Sequence, residues 1–151
     1  MPSALLIVDD DPDVLKAAAT ALAREAERVD VALSPEGIEA RAHLYDAVLL
    51  DMNFAAGERD GTVGLDALAR LHAADPALSV VLMTTFGGVA LAVQALKRGA
   101  ADFVLKPWRN EALAEAMRAA ATLTAERRAS GAALNLDELE KRAIVRALAL
   151  Y

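Results

Sequence analysis

Five short apolar runs, separated by stretches of helical periodicity, restrict what this chain can fold into more than any other feature. They are Ala4–Val8, Val29–Leu33, Asp46–Leu50, Ser79–Met83 and Ala101–Leu105. Four are nearly continuous hydrophobes rather than alternating, which suits strands covered on both faces. Between them, Val14, Leu15, Ala18, Ala21 and Leu22 make one helical stripe. Leu65, Leu68, Ala69 and Leu71 make another, as do Val89, Ala92, Val93 and Leu96. A last stripe runs through Leu113, Ala116, Met117, Ala120 and Leu123. Alternating strands and helices of this length predict an α/β fold, with a parallel sheet sandwiched between two helical layers. Right-handed crossovers leave few topologies.

The punctuation agrees. Asp11-Pro12 and Ser34-Pro35 each place a capping side chain before a proline at a first helical position. Gly99 follows a stripe where a left-handed C-cap is expected, and Asn110 can cap the last helix. The connection from Asp51 to Gly64 is the one long loop, and such loops in compact domains are often functional. These signals predict one domain over residues 1–125 and a linker over 126–134, with Ser130-Gly131 breaking the helix before it. A further helix over 135–151 is expected, opened by Asn135 with Glu138 as its capping-box partner.

Composition narrows the functions. The chain has no cysteine, which removes disulfides, thiolate metal sites and thiol nucleophiles together. Its formal charge of −6 leaves no counterion-release energy to gain from a phosphate backbone, so nucleic acid is a poor partner for this sequence. No apolar run reaches the roughly 18 residues of a membrane span, and no secretory signal opens the chain. A soluble cytoplasmic protein is expected.

Four of the five strands end in a polar residue of a particular kind. Asp9, Asp10 and Asp11 close the first, Asp51 the third, Thr84 and Thr85 the fourth and Lys106 the fifth. Ligands of open doubly wound sheets sit beyond the carboxyl ends of the strands, so these side chains should share one cleft. Crowded carboxylates need a proton or a cation to relieve their repulsion. An all-oxygen set without nearby cysteine or histidine suits Mg2+. One aspartate can then act as nucleophile and form an acyl phosphate. Lys106 and Thr84 would supply the fixed cation and the hydroxyl donor for the phosphoryl oxygens.

Four segments carry a resemblance: LLIVDDDPDVL (5–15), VLLDMN (48–53), VVLMTTFG (80–87) and GAADFVLKPW (99–108). Together they resemble the signature segments of the CheY-like receiver family over residues 4 to about 125. The resemblance implies a flavodoxin-like (βα)5 fold with strand order 2-1-3-4-5. It implies that Asp51 accepts a phosphoryl group from a sensor histidine kinase, and that Asp10 and Asp51 bind Mg2+ directly. Asp9 would act on the metal through water, and Asn53 through its backbone carbonyl. Thr84 matches the switch hydroxyl, Lys106 the cation paired with the phosphate, and Phe103 the aromatic that turns inward after Thr84 moves. Lys106–Pro107 resembles the family's cis peptide. A phosphorylation-dependent homodimer is the implied consequence, with the chain a phospho-acceptor of slow self-catalysed dephosphorylation rather than an enzyme.

Two departures are visible. The loop MNFAAGERDGTVG is longer than the family's usual pattern, and KPW replaces KPF; both resemble receivers of NtrC-type transcriptional regulators. The tail LNLDELEKRAIVRALALY (134–151) resembles the first helix of a Fis-type DNA-binding domain, without the recognition helix that should follow. DNA would therefore be reached only through an output domain missing from this chain. Two other functions stay open. A haloacid-dehalogenase-like phosphatase uses similar residue types, but carries its nucleophile after the first strand, whereas here the Asp-Asp pair comes first and the lone Asp51 follows the third. A pseudo-receiver that binds partners without phosphorylation would not need the filled acidic site.

Overall fold

A computed structural model describes residues 1–52, 62–85 and 88–131. Strands β1 (Ala4–Val8), β2 (Arg28–Ala32), β3 (Ala47–Asp51), β4 (Ser79–Thr84) and β5 (Asp102–Leu105) form one parallel sheet of order 2-1-3-4-5. Each begins and ends within one residue of the apolar run that predicted it. The fold is the expected flavodoxin-like one. Around the sheet lie α1 (Pro12–Leu22), a 3-10 helix (Ile38–Leu44), α2 (Thr62–Ala74), α3 (Val89–Lys97) and α4 (Asn110–Gly131).

Because side chains alternate along a strand, each fully apolar strand feeds two cores. Leu6, Val8, Val48, Leu50, Val80 and Leu82 pack on one face against the 3-10 helix and α2, through Ile38, Ala42, Leu68 and Leu71. Leu5, Ile7, Leu49, Val81 and Met83 pack on the other, against Leu15, Ala18 and Leu22 of α1 and Leu113 and Met117 of α4. Each such side chain contributes roughly 1.5–3 kcal/mol when fully buried. Edge strand β2 is half-covered and has exposed positions at Arg28 and Val31, which is why its run alone looked mixed.

The second crossover differs from expectation. Ser34 Oγ accepts from the Glu36 N–H at 3.1 Å, but Pro35 does not open an α-helix there. Gly37, at φ 74°, turns the chain in the left-handed region, and the 3-10 helix starts after it. Only Ile38 and Ala42 of that helix are buried. Arg70 of α2 holds the segment, donating to Pro35 O at 3.2 Å and Glu39 Oε2 at 2.6 Å.

Two helical faces are also rotated from the predicted stripes. In α2 the buried residues are Gly64, Ala67, Leu68 and Leu71, while Ala69 is exposed. In α3 they are Ala92 and Ala95, and Val93 is 43% exposed. Helix α4 continues through residues 126–131, where a linker was expected. Arg127 is buried there, and Arg128 donates to Tyr45 O and Asp75 Oδ2, each at 2.8 Å, and to Asp46 Oδ1 at 3.3 Å. The expected helix over 135–151, with its Fis-like pattern, lies outside the described residues. Among those described, no helix is long and apolar enough to cross a membrane.

Candidate metal centre

Parallel register brings the strand ends side by side. Val8 pairs with Leu50 and Leu50 with Leu82, so Asp9 and Asp51 follow on adjacent strands. Thr84 pairs with Leu105, which puts Lys106 one residue beyond. Two main-chain bonds extend the ladder past the strands. The Asp9 N–H donates to Ala32 O at 3.1 Å, and the Lys106 N–H to Thr84 O at 2.7 Å. The roots of Asp9 and Lys106 are therefore fixed by the sheet itself.

Asp9, Asp10 and Asp51 each offer a carboxylate oxygen, and those oxygens lie within 4.8 Å of one another. Asp9 and Asp51 are each 1% exposed, whereas Asp10 faces solvent. Lys106 Nζ donates to Asp9 Oδ2 at 2.7 Å and to Asp51 Oδ1 at 3.0 Å. Asp11 closes the group from behind. Its N–H donates to Asp9 Oδ1 at 2.9 Å, while its own carboxylate caps α1 by accepting from the Asp13 N–H.

The electrostatics are unbalanced. Burial pushes the Asp9 carboxyl above its ordinary value, and the Asp51 charge adds to that, although the Lys106 and Asp11 hydrogen bonds pull the other way. Burial alone would lower the Lys106 ammonium, but its bonds to Asp9 and Asp51 outweigh it and hold the group above its usual range. Lys106 thus stays charged while Asp9 remains the weaker half of the pair. Three carboxylates share one ammonium, so acidic groups are in excess in the cluster. A hard divalent cation with oxygen preference matches that excess and that donor set.

The other expected residues are placed as follows. Thr84 ends β4 fully buried, its Oγ 3.4 Å from Thr85 O, a long and weak contact. Phe103 is half-buried on β5 against the core on the α2 side. Lys106–Pro107 is cis, and Trp108 Nε1 donates to Asn110 Oδ1 at 3.2 Å at the start of α4. Asn53 lies outside the described residues. The Asp11 main-chain bond to Asp9 was not read from sequence; only the cap signal of Asp11-Pro12 hinted at a constrained turn there. His43 and Thr85 are exposed, apart from this chemistry.

A family model described as "Response regulator receiver domain" matches residues 5–118. The chemotaxis protein CheY of Listeria monocytogenes is 30% identical over 119 residues, covering 77% of this chain and 97% of that protein. The nitrogen assimilation regulatory protein NtrX of Azorhizobium caulinodans is 34% identical over 111 residues, 72% of this chain but only 24% of its own length. The chain therefore spans about a quarter of NtrX. Among solved structures, the N-terminal signal receiver domain of a two-component response regulator from Bacteroides fragilis aligns with a TM-score of 0.71 at 35% identity, over 80% of this chain and 98% of that one. NtrX from Brucella abortus aligns with a TM-score of 0.75 at 27% identity, over 89% of this chain and 30% of that one.

Proposed function

Since this chain belongs to the response regulator receiver family of two-component systems, we propose that Asp51 accepts a phosphoryl group from a sensor histidine kinase in the presence of Mg2+. The observation that carries this reading is the Lys106 ammonium within 3.0 Å of Asp51 and 2.7 Å of Asp9, beside the exposed carboxylate of Asp10. A carboxylate oxygen of Asp51 attacks phosphorus. The bond from phosphorus to the donor's imidazole nitrogen breaks, and its electron pair leaves with that nitrogen. Lys106 then exchanges its carboxylate contact for a phosphoryl oxygen, and the Thr84 hydroxyl donates to another. When bound, Mg2+ neutralises developing charge on the phosphoryl oxygens; Asp10, Asp51 and Asn53 would hold it, with Asp9 acting through water.

Withdrawal of Thr84 toward the phosphate frees space that Phe103 fills, which remodels the face formed by α3, β5 and α4. Such a change is a population shift between states the unphosphorylated chain already samples. A homodimer through that face follows, and any action on DNA belongs to an output domain, as the Fis-like pattern of 134–151 suggests.

Acetyl phosphate with Mg2+ tests the proposal. Label should enter the parent chain, fall to background with chelator, and be lost in Asp51→Asn. Sedimentation with and without beryllofluoride tests the dimer. Equal masses in both conditions would contradict it.

A further inference from the structure

Gly64 stands in the first turn of α2, buried against the residue that follows the acceptor. A Cβ placed on it would lie 2.9 Å from Met52 Sδ, 3.1 Å from Met52 Cε and 3.1 Å from Met52 Cα. The thioether can swing aside, but the Cα cannot move alone. Met52 is fully buried and its N–H donates to Met83 O at 3.1 Å, while Asp51 is registered opposite Met83 on β4. Any retreat of Met52 therefore moves the peptide that carries Asp51.

Local preference argues against glycine at this position, because alanine is the stronger helix former. The close approach of α2 supplies the reason for its absence. We propose that Gly64 is a positioning residue: by lacking a side chain it lets α2 rest directly on Met52 and holds the Asp51 carboxylate in reach of Lys106 and the metal-binding oxygens. This inference rests on the reading of Asp51 as acceptor. Small displacements matter because transfer depends on alignment, where about 1 Å can cost on the order of a hundredfold in rate.

Gly99 provides an internal control. It lies before the amino end of β5, away from the acidic cluster, at φ 108°, and a Cβ there would meet His72 Nε2 at 2.9 Å. An alanine at 99 is thus strained too, but far from the chemistry.

The test compares Gly64→Ala, Gly64→Ala/Met52→Ala and Gly99→Ala in the 151-residue chain. Urea unfolding, Mg2+ affinity by calorimetry, and the labelling rate at saturating acetyl phosphate are measured for each. Gly64→Ala should lower the labelling rate roughly fourfold and weaken Mg2+ binding to a similar extent. The double variant removes the two side-chain contacts and keeps the backbone one, so it should recover stability yet stay slow; it also decides the matter if the single variant does not fold. Gly99→Ala should lose stability while keeping both site measurements within about twofold of the parent. Parent-like Mg2+ affinity and rate in the Gly64 variants, or equal losses in Gly99→Ala, would overturn the inference. If the parent itself takes no label, the reading of Asp51 falls, and the Mg2+ affinities still decide the role of Gly64.

Discussion

Lys106 and Asp9 form an ion pair whose two halves have different energetic value. The ammonium is bonded to two carboxylates that are each 1% exposed, so removing it leaves buried charge without a partner. Lys106→Met should lower stability by on the order of 3 kcal/mol near neutral pH, read by urea unfolding. Asp9 behaves oppositely. Burial disfavours its charged form, so the folded chain carries a cost at neutral pH that Asn would remove. Asp9→Asn should leave stability unchanged or raise it by on the order of 1 kcal/mol, while weakening Mg2+ binding roughly tenfold. Calorimetry beside unfolding separates the two effects. These residues were legible in the sequence because each directly follows an apolar run, and parallel register brings such positions together. The Gly64–Met52 approach was not legible, since it depends on how closely a helix settles on the residue after a strand.

At the scale of elements, strands were easier to read than helical faces. A strand buried on both sides needs only an unbroken apolar run, and the ranges of β1, β3 and β4, buried throughout, follow from that. Helix faces require the polar side to be distinct, and alanine on both sides of α2 and α3 blurs it; Ala69 and Val93 were assigned inward and lie outward. The 3-10 helix escaped because proline after serine signals a helix start without excluding a left-handed glycine two residues on. The linker expected over 126–134 is helix α4 as far as Gly131, where Ser130-Gly131 predicts a helix break. Arg127 is buried there, and Arg128 bridges Asp46 and Asp75. A chain ending at residue 125 should therefore melt roughly 5 °C or more below one ending at 131, by differential scanning calorimetry. Equal melting temperatures would show that the last turn contributes nothing to the body.

On the scale of the whole molecule, the sheet separates two poles. The carboxyl ends of the strands hold the acids and Lys106; the other end is closed by α4, where Arg127 acts on the imidazole of His72. Burial lowers the His72 pKa, and the Arg127 charge lowers it further, against an opposing contact with the Gly99 backbone. The folded chain thus binds this proton less readily than the unfolded chain. Stability is complete above the ordinary value of about 6.5 and falls as pH drops below it. Urea midpoints across that range should decline in the parent and flatten in His72→Gln. A parent curve as flat as the variant's would remove His72 from the account.

The measurement closest to the central claim locates the phosphoryl group itself. The chain is treated with acetyl phosphate and Mg2+, reduced with borohydride to convert acyl phosphate to homoserine, and mapped by tandem mass spectrometry. Homoserine at position 51 alone is the predicted result. Homoserine at position 9 or 10, or at no position in a chain that binds Mg2+, would contradict it.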